Sequence, residues 1–393
     1  MGKQRNPLQG TGRGELAAHG QMSRRRFLGT TGAAFGAAAV GGSLLSACAP
    51  KSETTTGGGG GGTGSTDLGD TLVLVSWPNY HNQENLDAFE AATGVHVDLK
   101  VFGSNEEMLA KLQVGSTGWD VFVPTNYAVK TYVDLGLIEP LDLGRISTYD
   151  ETQYEARFLQ ASQVGDGTTY AIPKNWGTTG YAIWNDEITT NPTSWVDFWD
   201  NTRGAWDGKV AIHDYMLTTI GNALKYYGYS FNSIDPDELA QAEELLLSAK
   251  PHLFGITSDY QPIMRSKDVW SSMCWTGDAA QMNRDEPAVQ YVLGTEGGEI
   301  WEDNWAIVAE SSRKDAAYAF LQFMIDPPVA AKETEFHGYP QVDQRATALV
   351  PQEILNNPIL YPPTELLAAL EFGASETLTN PDRSDLWARV KAA

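Results

Sequence analysis

The chain has 393 residues, with 27 basic against 50 acidic side chains and a formal charge of −23. That balance argues against a nucleic-acid partner, because phosphate binding needs a basic surface, and is compatible with a small cation. Hydrophobic residues at 42% and charged residues at 20% describe a globular chain with room for two or three domains, not a disordered or fibrous one.

The first segment reads as an address. Ser23-Arg24-Arg25-Arg26-Phe27-Leu28 stands directly before an uncharged, Gly- and Ala-rich stretch over 29–47. Those flanks fit a signal-peptide core better than a membrane span, and the arginine pair resembles the bacterial Tat export signal. Leu45-Ser46-Ala47-Cys48 resembles a lipobox, which predicts cleavage of 1–47 and lipidation of Cys48. Acyl chains contribute about 0.8 kcal/mol per buried methylene, so two of them anchor a soluble domain to the plasma membrane. Cleavage would remove six basic residues and one acidic residue, leaving 21 against 49. The only cysteines are Cys48 and Cys274, so no disulfide framework is expected. Residues 48–69, with a glycine run over 57–62, cannot bury enough apolar area to order themselves. They read as a tether reaching roughly 25 Å.

From residue 70 onward short apolar runs alternate with helical periodicity. Residues 72–75 form an apolar run expected to be a strand covered on both faces. A helix is predicted over 82–92, closed by Gly94, then an alternating strand over 95–101. Ser104 with Glu107 has capping-box spacing for a helix ending at Gly115. A third strand, 121–124, and a third helix, 126–135, follow. This succession predicts an open α/β sheet wound right-handedly. Further strands are predicted at 181–184, 269–275 and 305–308. Helices are predicted at 194–199, 235–248, 314–324, 365–370 and 385–390, with Pro327-Pro328 as a stop. The total exceeds one sheet, so two α/β lobes are expected.

No catalytic constellation is visible. The chain lacks a G-x-S-x-G elbow, a phosphate-loop motif and an H-E-x-x-H zinc helix, and its six histidines are scattered. No cofactor or metal is implied, and the chain reads as a binding protein rather than an enzyme. What stands out is aromatic residues at strand boundaries: Trp77-Pro78-Asn79-Tyr80, Asn126-Tyr127 and Trp275-Thr276-Gly277-Asp278 follow strands, Trp301-Glu302-Asp303 precedes one, and Gly338-Tyr339-Pro340 sits in a turn. Ligands of open α/β sheets bind beyond the carboxyl ends of strands. Ring faces beside carboxylates suit an ammonium ion.

At these residues the sequence resembles the bacterial spermidine/putrescine-binding proteins of ABC transporters, from about residue 71 to the C-terminus. The resemblance runs through Ser76-Trp77-Pro78-Asn79-Tyr80, Asp120-Val121-Phe122-Val123-Pro124, Trp176-Gly177-Thr178-Thr179-Gly180, Trp275-Thr276-Gly277-Asp278, Glu296-Gly297-Gly298 and Gly338-Tyr339-Pro340. It implies a two-lobed periplasmic-binding-protein fold of type II, two open α/β sheets joined by crossover strands near 176–181, 301–304 and 346–350. Lobe one would be 70–177 plus 302–347, and lobe two 178–301 plus 348–393. Matching positions give Trp77, Tyr80, Tyr127, Trp275, Trp301 and Tyr339 as aromatic walls, Asp278 and Asp303 as anions, and Thr125 and Asn126 as polar contacts. Asn79 stands where the family commonly has an acid, and Asp214 falls in a second acidic segment. A diamine, or a substrate with one cationic end, is therefore as compatible as spermidine. The implied protein is a lipid-anchored extracytoplasmic monomer that closes on a polyamine and presents it to permease subunits. Rival readings are another cationic amine, a ferric ion or an anion on the same fold, or a secreted hydrolase.

Overall fold

The computed structural model describes residues 67–393 except 116 and 166, all within one unit, Gly64–Ala393. The expected signal segment, the lipidation site Cys48 and all but the last three residues of the tether lie outside the described residues.

Ten strands order the described chain. They are β1 (Thr71–Ser76), β2 (His96–Val101), β3 (Val121–Phe122), β4 (Ala171–Trp184), β5 (Val210–Ile212), β6 (Gly255–Ile256), β7 (Ser271–Trp275), β8 (Val289–Val292), β9 (Gly298–Ile307) and β10 (Leu370–Phe372). The spatial order is β2-β1-β3-β9-β4-β7-β5-β6, with β10 on β9 and β8 on β4. β2, β1 and β3 run parallel, as do β6, β5 and β7, and each parallel set meets a long antiparallel strand. The two parallel sets are thus joined into one continuous sheet through β4 and β9, which pair from Ala171↔Ala306 to Thr179↔Glu299. Every residue of both strands is buried.

Cap chemistry sets the helix ends. Asn82 accepts from the Glu84 amide to open α1 (Gln83–Thr93), and Gly94 closes it at φ 78°. Ser104 accepts from the Glu107 amide at the start of α2 (Asn105–Val114). Thr125 precedes α3 (Asn126–Asp134). The helix Lys314–Met324 has the bounds expected of it. Pro327-Pro328 do more than stop it, since they occupy the first turn of a further helix, Pro327–His337, where a missing amide costs nothing. The stretch 365–370 is only partly helical (Thr364–Leu367), because Leu370 pairs with Gly298 in β10. Near 346–350 the chain is the short helix Gln344–Thr347 rather than a strand.

Apolar burial divides around the central pair. One cluster holds Leu72, Phe89, Val121, Trp176, Trp305 and Phe320, and another Tyr181, Trp195, Phe198, Ile220, Leu246 and Trp387. A third joins Phe122, Tyr127 and Tyr132 with Tyr215, Leu217 and Phe231 from the later half. Cys274 is buried within a fourth, where burial pushes its thiol pKa up.

Candidate functional site

A cavity of about 370 Å³ opens where several strands end. From β1 come Trp77, Pro78, Asn79 and Tyr80, with Asn79 in the left-handed region at φ 54°, which Asn tolerates better than most residues. Thr125 follows β3, Trp275 ends β7, and Asp278 follows it in the first turn of the helix Thr276–Asp285. β9 contributes Glu299, Trp301 and Asp303, alternate residues on one face. Tyr339 completes the wall. Nine of the eleven expected ligand-binding residues therefore line one cavity.

Asn126 and Tyr127 do not line it. Asn126 Nδ2 donates to the Gly373 carbonyl at 3.2 Å and its Oδ1 accepts from the Glu302 amide at 3.3 Å. The Tyr127 hydroxyl accepts from Asn105 Nδ2 at 3.0 Å and forms a short hydrogen bond with the Tyr215 hydroxyl. Asp214 stays near the surface, 3.3 Å from Lys391 Nζ, while its neighbour Tyr215 reaches the cavity.

The rings form continuous walls. Tyr80 and Tyr339 have centroids 5.5 Å apart, and Tyr339 meets Trp301 edge-on at 5.1 Å. Trp275 packs against the buried His213 ring at 4.4 Å and Tyr260 at 5.9 Å. Burial drives the His213 pKa down to about 3, so that ring is neutral.

The acids sit between these rings. Asp303 accepts from Tyr80 Oη at 2.6 Å and Thr125 Oγ1 at 2.7 Å. Burial lifts its pKa to about 6 against the pull of those two hydrogen bonds. Asp278 accepts from Tyr260 Oη at 2.7 Å, with Tyr339 Oη 3.5 Å from its other oxygen, and burial raises its pKa too. Asp259 and Glu299 also line the cavity, whereas no Lys, Arg or His does. Such a site can neutralise ammonium groups and cover the hydrocarbon between them. Among the described residues no group of His, Cys, Asp and Glu could hold a metal ion.

Sequence reasoning missed several wall residues. Phe102 and Gly103 follow β2, so the strand-end rule that found Trp77 could have found them. Ser258 to Gln261 follow β6, which is two residues long and leaves no apolar run to see. Glu299 lies near the start of β9, six residues before the apolar stretch that marks the strand.

The chain also has relatives. Residues 84–360 match the family model described as bacterial extracellular solute-binding protein. The chain is 30% identical over 337 residues to the putrescine/agmatine-binding protein of Pseudomonas aeruginosa, covering 81% of this chain and 91% of that one. It is 29% identical over 307 residues to the spermidine/putrescine-binding periplasmic protein of Salmonella typhimurium, covering 77% and 86%. The structure of a spermidine/putrescine ABC transporter substrate-binding protein from Streptococcus pneumoniae superposes with a TM-score of 0.68 at 28% identity, covering 82% of this chain and 99% of that one. The family model spans most of the chain, and a relative 30% identical covers most of both lengths: the chain belongs to the bacterial extracellular solute-binding protein family.

Proposed function

We propose that this chain is the extracytoplasmic solute-binding protein of an ABC importer, capturing a polyamine such as putrescine or spermidine, and that it is not an enzyme. The observation that carries this reading is a cavity walled by Trp77, Tyr80, Trp275, Trp301 and Tyr339 that holds Asp278 and Asp303 and no basic side chain. A polyamine is a methylene chain carrying ammonium groups. Indole and phenol faces cover the chain, and carboxylates supply the counter-charge that a desolvated ammonium needs. The names of the relatives support the same ligand class.

We read residues 70–177 plus 302–347, and 178–301 plus 348–393, as lobes that close over the ligand about β4 and β9. A ligand touching both lobes favours the closed population, the form that would engage the permease. On this reading the mature protein is a monomer tethered through a lipid on Cys48. No helix among the described residues is long and apolar enough to cross a membrane.

The test is a thermal-shift screen over putrescine, cadaverine, spermidine and spermine, with phosphate and simple alkali cations as controls. A ligand at 100 times its Kd contributes about 2.7 kcal/mol of apparent stability, so one or more amines should raise Tm by several degrees. Stabilisation by phosphate alone, or by no amine, would overturn the reading.

A further inference from the structure

We infer that Glu299 is a third anionic subsite of the cavity, which takes an additional ammonium group and makes this chain select linear triamines over diamines; the inference rests on the polyamine reading above. Along β9 the cavity wall runs carboxylate, indole, carboxylate, from Glu299 through Trp301 to Asp303. Alternate residues of a strand share a face, and at 3.3 Å per residue the two acidic positions stand about 13 Å apart along the backbone. An indole between two anions at that spacing suits a cation longer than a four-carbon diamine.

Glu299 is built for charge yet incompletely served. It is 1% exposed. Thr179 Oγ1 at 2.6 Å and Thr218 Oγ1 at 2.8 Å both donate to Oε2. Among the described residues Oε1 accepts no hydrogen bond, and no Lys, Arg or His pairs with the group. Two hydroxyls stabilise the anion only in part, and burial raises its pKa to about 7. An ammonium group arriving at Oε1 supplies the missing donor and the missing counter-charge together. A purely structural role would not need an acid here, since an amide could accept from the same two hydroxyls without a charge to bury. Thr218 lies in the segment where the family resemblance led to the expectation of an acid; the carboxylate it holds comes instead from β9.

The experiment is calorimetric titration of the mature chain and of Glu299→Gln with spermidine and with putrescine, each protein first checked by thermal melting. The wild type should prefer spermidine, and the spermidine-to-putrescine affinity ratio should fall at least tenfold in Glu299→Gln. Glu299→Asp, which keeps the charge one carbon further back, should recover part of that ratio whether or not the glutamine variant melts early. An unchanged ratio in both variants, or a wild type that prefers putrescine, overturns the subsite and leaves the polyamine reading standing. A wild type that binds neither amine overturns both.

Discussion

Lys174 Nζ lies 4.1 Å from the ring centroid of Tyr80, whose hydroxyl donates to Asp303 at 2.6 Å. A fully buried lysine thus stands one aromatic ring behind an acid of the cavity. Its other neighbours are His337 Nε2 at 3.4 Å and Glu333 at 3.9 Å, and Glu333 in turn meets His81 at 3.1 Å. Burial lowers the Lys174 pKa to about 8, although Glu333 and Asp303 pull it upward.

That shift has a stability consequence of definite sign. In the unfolded chain a lysine titrates near 10.4, so between about pH 8 and 10.4 the unfolded state binds more protons than the folded one, and stability rises with pH. Lys174→Met removes this contribution. The Tm of the wild type minus that of the variant should increase from about pH 8 to about pH 10. A difference that stays flat or shrinks would contradict the assignment.

Binding should depend on pH in the opposite half of the scale. Burial raises Asp303 to about 6 and Glu299 to about 7, so in the empty protein both are partly protonated near neutrality. Alone, these raised values lower stability as pH climbs through that window, because the folded state holds more protons than the unfolded one. A bound ammonium favours the charged carboxylates and expels their protons. Spermidine affinity should therefore rise from about pH 5.5 to about pH 7.5, with proton release visible as a buffer-dependent binding enthalpy. Affinity that falls over this range would count against both acids as ligand contacts.

Gly177 faces Trp301 across the β4–β9 pair. A methyl group at Gly177 would overlap the indole, with Cη2 at 2.7 Å. The ring would have to leave its edge-on contact with Tyr339, and overpacking of this kind typically costs 1–3 kcal/mol. Gly177→Ala should weaken polyamine binding about tenfold while the chain still melts cooperatively. Titration showing wild-type affinity would mean that the indole position is irrelevant to the ligand.

Tyr215, after β5, accepts from Asn105 Nδ2 at 2.6 Å and shares a short hydrogen bond with Tyr127. If the two halves close on the ligand, this hydroxyl is one of the links that hold them shut. Tyr215→Phe removes about 1 kcal/mol of hydrogen bonding, so affinity should drop about fivefold, chiefly through faster release. Stopped-flow release rates equal to those of the wild type would show that the link does not bear on closure.

Polyamine affinity should also fall more than tenfold in Asp303→Asn with the fold retained, since the amide keeps the hydrogen bonds of Tyr80 and Thr125 in part but loses the charge. Unchanged affinity in a titration would remove Asp303 from the site.

Local chemistry made much of this protein legible in advance. Ser104 caps its helix as expected, and Asn82 and Asp235, where their predicted helices begin, are the caps of those helices, because a cap involves only residues two or three positions away. Aromatic groups near strand ends and turns led to eight cavity residues and the family resemblance to Thr125, because ligands of open α/β sheets gather at that edge; Trp301 and Asp303 nevertheless lie inside β9. The central strand was another matter. Only 181–184 of β4 looked like a strand, since 171–180 carries Pro173, Lys174, Asn175 and two glycines. Those polar groups find partners on segments far away in sequence: Asn175 on Tyr80 and His337, Thr178 on Thr276, and Thr179 on Glu299. Glu299 stayed hidden for the same reason. A buried acid looks like a solvated one until the hydroxyls that hold it, and the cavity it faces, are brought together by the fold.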